Sequence, residues 1–502
     1  MIINGEEVKQ KLLQGIDLVA NTVKPTLGPQ AKTVILQGNP PVVINDGVTI
    51  TKYISHEDAY VQMGIQLVQN LASKAQEGSG DGTTTACILA QAICHRIMDS
   101  LGKMSIQEFN QQMEDAKEQI VHFLEQASYP VNDNGILDIA TIAANNDSDM
   151  GQLIADALEK VGRDGVVTVE ESKSHLTELV VREGMEIPEG YISHLMANDE
   201  GKVVFNKPLV FLSNIPFRNF GELLPMLELA ASQKRPLLIL CKGMEGSSLN
   251  NLLMNILNKT VDCAVILAPN FGDAQLDELG DIKALIGGEI FNAESKADPT
   301  LVVAESFGTC EQVIITKEKT TFVGADGDTT SRINRLKETL EDMTGYDAGR
   351  IKSRITRLKG GIATIRVGAG SSIEMREKKE RLDDALNATK AALAEGIVVG
   401  GGLTLALAGI ETNNKLGYDL TWLVDALHEP IRTLIANSNL DVGATMTEII
   451  PANGTGFNAL TGKIENLQNV VDPVKVTKNS FLAAMSIAQL FYSTDVAVLL
   501  EE

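Results

Sequence analysis

Gly78-Ser-Gly-Asp-Gly-Thr-Thr-Thr-Ala-Cys-Ile-Leu-Ala-Gln-Ala-Ile93 passes from a run of small residues straight into a helix that is apolar almost all round between Ala86 and Cys94. A helix without a polar face belongs at the centre of a helical domain, so this stretch marks both a core and what sits at its edge. Glycines loosen the backbone at that edge, three threonines add hydroxyls, and the helix N-terminus presents free amides, which together make an anion cradle. Asp81 would repel a bare phosphate. Its place in the cradle makes sense with a hard divalent cation between carboxylate and phosphate oxygens, which makes Asp81 a candidate Mg2+ ligand. An ordinary helix N-cap uses the same residue types, so the motif alone leaves both readings open.

Outward from this stretch the chain changes character several times. Residues 6 to 126 read mainly as helix, with Val8, Leu12, Ile16, Val19 and Val23 at helical spacing. Between Gly28 and Lys52 the short β-type runs TVILQ and PVVIN, broken by Gly-Pro, Asn-Pro-Pro and Asn-Asp-Gly, predict a hairpin inserted in the helical domain. From about 160 to 185, VVTVEE and ELVVREGM are strand-like. From 208 to 266, LVFL, PLLILC and CAVILA alternate with two helix-length segments, which predicts βαβ units and a parallel sheet. Residues 330 to 360 are densely charged at helical spacing around a Gly-Tyr-Asp-Ala-Gly break and predict a solvated helical hairpin. After the strand-like IATIRVG the chain returns to helix, as at its start.

At 502 residues the length suits about three domains at roughly 150 residues each. Lys and Arg total 43 against 66 Asp and Glu, a formal net charge of −23, which repels nucleic acid and anionic lipid and requires any phosphate to be captured locally. Cys87, Cys94, Cys241, Cys263 and Cys310 form no CxxC pair and sit mostly in apolar runs, as reduced, buried thiols do. The N-terminal residues lack the unbroken apolar core of a signal peptide, and no run reaches the roughly 18 residues that span a bilayer, so a cytoplasmic location is expected. The Walker loop, HExxH and GxSxG patterns are absent and the six histidines are scattered, which removes P-loop, zinc-protease and hydrolase readings.

Four further motifs are weak singly. Val23 to Lys32 (VKPTLGPQAK) ends a helix in a Pro-flanked turn exposing amides near Leu27 and Gly28, yet Gly-Pro after a helix is routine. Ile44 to Val48 (INDGV) reads as a hairpin turn. Asp383 and Asp384 point to different sides of one helix, so at most one faces a site, and a solvated face is the plainer reading. Gly400 to Gly402 lets backbone approach a ligand, or forms a hinge.

In order, VKPTLGP, INDGVTI, GDGTTTACILAQAI, EGMEIPEGYIS, APNFGD, RLDDALNATKAALAEGIVVGGG and VDPVKV resemble the group I chaperonins, the GroEL family, from end to end. The resemblance implies a multidomain α and α/β fold. A helical equatorial ATPase domain would be built from both chain ends (1–126 and 395–502), with a small intermediate hinge domain (127–182 and 362–394) and an α/β apical domain (183–361). It further implies that Thr26, Leu27, Gly28 and Pro29 line an ATP site, that Asp81 ligates Mg2+, and that Gly82, Thr83, Thr84 and Thr85 hold phosphates. Asp384 would activate the attacking water and Asp46 would assist at the γ-phosphate. Gly401, Asn458, Ala459, Val470 and Asp472 align with adenine and ribose contacts, and K+ is an implied co-ion.

The same resemblance assigns Tyr191, Leu195, Met196, Leu224, Leu227, Leu249, Leu253 and Met254 to an apical surface for non-native polypeptides and a co-chaperonin lid. Periodicity alone would place both apical helices in the core. Implied besides are a homo-oligomeric ring of seven subunits, no nucleic acid partner and no membrane. Three departures stand out: Asn45 replaces the usual lysine, Leu195 and Met196 replace aromatics, and the sequence ends at LLEE without the Gly-Met-rich tail. Such changes suit a divergent member, for instance one encoded by a phage. The rival readings are an ATPase-impaired holdase of the same fold and a metabolic enzyme using the Gly78 to Thr85 loop for a phosphorylated metabolite.

Overall fold

The computed structural model describes residues 2–37, 42–99, 104–132, 135–163, 165–172, 174–199, 201–292, 302–325, 327–341, 343, 345–449 and 454–499. The chain forms two compact units: the first holds Met1–Asp156, Val169–Glu178 and Arg366–Glu502, the second Ala157–Thr168 and Leu179–Ile365.

The first unit is helical and joins both chain ends. Its centre is the Thr83–Met98 helix, buried from Ala86 to Leu89 and again at Ile93, Cys94 and Ile97, against helices Glu6–Val23, Ala59–Ser79 and Val474–Ser493. An apolar helix of this kind loses most surface when surrounded on every side. Helices Glu6–Val23 and Ala59–Ser79 cross closely because Gly15 and Gly64 lack side chains: a Cβ on Gly64 would lie 2.2 Å from the Leu12 carbonyl oxygen. The ends are tied twice. Strand Ile2–Asn4 pairs antiparallel with Val496–Val498, and the Lys9 ammonium donates to the carbonyls of Phe491, Tyr492 and Thr494 at 2.7 to 3.0 Å, capping the last helix. Strands Val34–Leu36 and Val42–Ile44 pair antiparallel as expected, while the Asn39 to Pro41 turn lies outside the described residues.

The second unit is α/β. Its parallel strands Leu209–Ser213, Leu237–Cys241 and Cys263–Leu267 are wholly or largely buried, continuous apolar runs with helices Leu224–Gln233 and Gly246–Leu257 as crossovers. The expected βαβ alternation is therefore what the chain adopts. A second sheet takes the order Glu178–Ile187, Thr320–Val323, Gln312–Ile315, Val203–Asn206, all antiparallel.

The charged hairpin exists, as helices Thr329–Glu341 and Gly345–Lys359, but one face is not solvated. Ile333, Leu336, Ile351, Ile355 and Leu358 join the apolar core, and Arg354 is buried against Asp281 of helix Asp273–Ile286. Aliphatic residues spaced among the charges supply that inward stripe. Residues 135–143 pack as a helix against Ser372–Glu395, and Val131, Ile139, Ala392 and Ile397 share a small core inside the first unit. All five cysteines are buried free thiols, and burial pushes those of Cys87, Cys241 and Cys310 up to about 12, leaving them unreactive.

Candidate functional site

The first unit contains a cavity of about 490 Å³, within the range of roughly 300–1,000 Å³ usual for small-molecule sites. Its wall is built from segments distant in sequence: Thr26 to Pro29, Asn45 to Gly47, Gly80 to Thr85, Glu380 to Asp384 in part, Gly401 to Leu405 in part, Phe457 to Leu460, and Asn469 to Pro473.

Each segment is fixed locally. Lys24–Thr26 makes one tight turn, held by Asn437, whose Nδ2 donates to the carbonyls of Lys24 at 2.9 Å and Leu27 at 3.0 Å. Asp46 is no hairpin-turn residue: it is the N-cap of helix Gly47–Lys52, its carboxylate accepting from the amides of Val48 at 3.2 Å and Thr49 at 2.7 Å. The INDG string reads as a turn because Asn, Asp and Gly serve turns and N-caps alike. Gly82, at φ 90°, turns the chain into the central helix, and a Cβ there would meet Ser480 Oγ at 2.3 Å, so glycine is required on both counts. Thr83, Thr84 and Thr85 follow as the first helical turn, with amides that have no partner inside the helix.

Opposite chemistry comes from helix Ser372–Glu395. Asp384 lines the cavity, and Asp383 is not among the lining residues, as the helical geometry requires. Strand Ile397–Val399 pairs with Val471–Pro473, which sets Asp472 beside the glycines; its carboxylate accepts from the amides of Gly401 and Gly402 at the start of helix Leu403–Leu416. The glycine run is a docked junction here: a Cβ on Gly400 would lie 2.8 Å from the Asp472 carboxyl carbon.

Asp81, Asp384 and Asp472 keep partial contact with solvent in the cavity but lie deep beneath the surrounding protein. That burial is the main reason each carboxyl is raised above its ordinary range. The Gly82 amide partly offsets the rise at Asp81, to which neighbouring Asp46 adds. Asp384 is raised well above the usual value, with Asp81 and Asp46 the next contributors after burial. Asp472 is pushed up to about 6, by burial and then Asp81, against the pull of two amides. Three carboxylates from separate segments therefore share one electrostatic neighbourhood in which, among the described residues, Arg381 is the single cationic side chain, and a bound cation would relieve the excess negative charge.

Among the described residues no group of three His, Cys, Asp or Glu side chains could hold a metal alone. The donor set fits Mg2+, which takes one or two protein carboxylates and completes its shell with water and phosphate oxygens.

Every expected nucleotide-site residue lines this cavity: Thr26, Leu27, Gly28, Pro29, Asp46, Asp81, Gly82, Thr83, Thr84, Thr85, Asp384, Gly401, Asn458, Ala459, Val470 and Asp472. Sequence reading did not single out Arg381, Thr404, Phe457 or Ser480, which line it too. Arg381 was within reach, one turn before Asp384 on the same helix.

The expected apical surface fares differently in the second unit. Met196 is 2% and Leu227 5% exposed, both in the apolar core, so neither can present itself to a client. Their spacing on short helices turns them toward the sheet, and Met196 Sδ lies 3.4 Å from the Val265 amide nitrogen. Tyr191, Leu249 and Leu253 pack partly on that core, while Leu195, Leu224 and Met254 are exposed, Met254 by 57%. Leu257 and Phe271, the latter 89% exposed, are outward residues that periodicity gave no means to distinguish from core.

Residues 19–500 match the TCP-1/cpn60 chaperonin family. The fold is similar to that of the chaperonin gp146 from the bacteriophage EL 2 (Pseudomonas aeruginosa), whose crystal structures were obtained in the presence of ATP-BeFx. Crystal form II gives a TM-score of 0.72 at 19% identity over 100% of both chains. Crystal form I gives 0.66 at 19% identity over 100% of this chain and 99% of that one. With a helical unit made from both ends, an α/β unit from the middle, and a family match over nearly the whole length, the chain belongs to the TCP-1/cpn60 chaperonin family.

Proposed function

We propose that this chaperonin subunit binds Mg2+-ATP in the cavity of its helical unit and hydrolyses it there, driving capture and release of non-native polypeptide by the α/β unit within a homo-oligomeric ring. The observation that carries this reading is the convergence of Asp46, Asp81 and Asp384, from three separate segments, on one cavity that also receives the N-terminus of the central helix.

The amides and hydroxyls of Thr83 to Thr85 suit phosphate oxygens, and Asp472 suits ribose hydroxyls as an acceptor already oriented by two backbone amides. Asp81 would hold Mg2+, whose contribution is to offset charge on the phosphates. Asp384, raised by its surroundings, is the proton acceptor: it orients a water for attack on the terminal phosphorus. As the new P–O bond forms, the bond to the ADP oxygen breaks and the water's proton passes to the Asp384 carboxylate. Asp46, tied down by two amides, offers fixed acceptor oxygens beside it. K+ enters on the family resemblance alone.

Assembly is supported by two isolated two-stranded sheets with open edges and outward apolar residues, Ile2, Val496 and Val498 on one and Ile35, 72% exposed, on the other. Such ribbons are marginal alone and gain by pairing with another copy. Seven subunits per ring and a co-chaperonin follow from the resemblance. Coupling requires only that ATP bind two ring states with different affinity.

Steady-state phosphate release by Asp384→Ala tests the reading. Loss of a positioned base lowers turnover by about 10²- to 10⁴-fold, with nucleotide affinity largely kept. Unchanged turnover would remove Asp384 from the chemistry and favour a holdase.

A further inference from the structure

Among the described residues lining the cavity, one side chain is cationic, Arg381. It stands three residues before Asp384 on helix Ser372–Glu395, so both side chains lie on one face, about a turn apart. Its Nη2 donates to both carboxylate oxygens of Glu377, at 2.7 and 2.6 Å, and Nη1 lies 3.7 Å from Asp147 Oδ2. The Nε is buried and has no partner. Asn45, which also lines the cavity, is neutral.

The charge balance makes this arrangement informative. Asp46, Asp81, Asp384 and Asp472 already concentrate negative charge, and a triphosphate adds more. One divalent cation offsets only part of it. A guanidinium whose Nη2 is held by Glu377 and whose Nη1 makes only a 3.7 Å contact keeps Nη1 for a phosphate oxygen, a charged donor that a carboxylate-rich cavity otherwise lacks. A buried N–H without an acceptor is rare enough to call for a ligand or a change of state.

We propose that Arg381 reads the terminal phosphate of the nucleotide, giving up its long contact with Asp147 for phosphate oxygens while Glu377 keeps its guanidinium in place. This inference rests on the nucleotide reading of the cavity and adds the residue that distinguishes ATP from ADP there. ADP carries no phosphate at that position, so the contact favours the triphosphate alone.

Calorimetric titration of the full chain with Mg2+-ATP and Mg2+-ADP tests it, with every variant made in an Asp384→Ala background so that ATP persists. Arg381→Gln should weaken ATP by about 10- to 100-fold, the value of a charged hydrogen bond, and leave ADP within about 2-fold. Arg381→Lys should keep part of the preference, and Asn45→Lys added to Arg381→Gln should restore part of it. Equal loss of both nucleotides would show a structural role, and no change would remove Arg381 from recognition; either result overturns the proposal. If Arg381→Gln does not fold, Glu377→Gln decides. Freeing the clamp should alter ATP affinity but not ADP affinity, and equal change in both overturns the proposal. Failure of the parent protein to bind either nucleotide is a separate outcome that overturns the nucleotide reading and the inference with it.

Discussion

Replacing Asp472 by asparagine should stabilise the nucleotide-free protein while weakening nucleotide binding, two effects of opposite sign from one atom pair. The Asp472 carboxyl is pushed up to about 6 from an ordinary 3.8 because burial, and then Asp81, disfavour its charge. A carboxyl raised on folding binds more protons in the native state, so stability falls as pH rises from the ordinary value through the folded one. That difference of about 2 pH units corresponds to about 3 kcal/mol at most, at about 1.4 kcal/mol per unit. Residual solvent contact brings the expected gain to roughly 1–3 kcal/mol. Asparagine keeps an oxygen for the Gly401 and Gly402 amides and carries no charge. Thermal denaturation without nucleotide, from pH 4 to pH 8, should therefore show the variant and parent equal near pH 4, with the variant increasingly ahead until the gap levels above about pH 6. Calorimetry should show weaker ADP binding, since the ribose acceptor is lost. A variant that is less stable at pH 8, or a gap independent of pH, would refute the reasoning.

Asp281→Asn in the α/β unit should cost about 1.5–3 kcal/mol, because buried Arg354 loses one of its two charged contacts at 2.6 and 2.8 Å while keeping Asp277 at 3.0 Å. Urea unfolding followed by hydrogen exchange in helices Asp273–Ile286 and Gly345–Lys359 would read it, and unaltered protection would contradict it. Met254→Glu, on an exposed and partly desolvating helix face, should lower capture of a denatured client by tenfold or more without loss of circular dichroism, whereas Leu227→Glu should unfold the unit instead because Leu227 is core. The His95–Asp17 pair, 2.8 Å apart, holds the His95 ring above its ordinary value through the hydrogen bond to Asp17. Its stabilisation is complete below about pH 6.5 and is lost as pH rises through the raised value. Melting of His95→Gln against the parent at pH 5.5 and pH 8.5 should show a deficit only at the lower pH.

Legibility in the sequence followed what local chemistry can specify. The all-round apolar helix after Thr85 and the uninterrupted runs LVFL, PLLILC and CAVILA could pack in few ways, and they became the central helix and the parallel sheet. Asp46 was misread in isolation because a strand-to-helix junction and a hairpin turn draw on one set of residues; only the partner amides of Val48 and Thr49 separate them. Leu227 and Met254 are both apolar residues on short amphipathic helices, and which faces the sheet depends on how each helix is rotated, a tertiary property. The cavity itself is invisible to spacing, since its wall joins residues 26 to 480. Only the order of motifs along the chain, as a family resemblance, groups the candidate residues that line it, and Arg381 does not stand out because charged residues surround it on the same helix.

A structure of the full chain with Mg2+ and ADP-beryllium fluoride addresses the central claim most directly. Metal density is expected against the Asp81 carboxylate, with the fluoride group between Asp46 and Asp384 and at the first turn of the Thr83–Met98 helix. A nucleotide bound elsewhere, or a cavity left unfilled at saturating concentration, would contradict it.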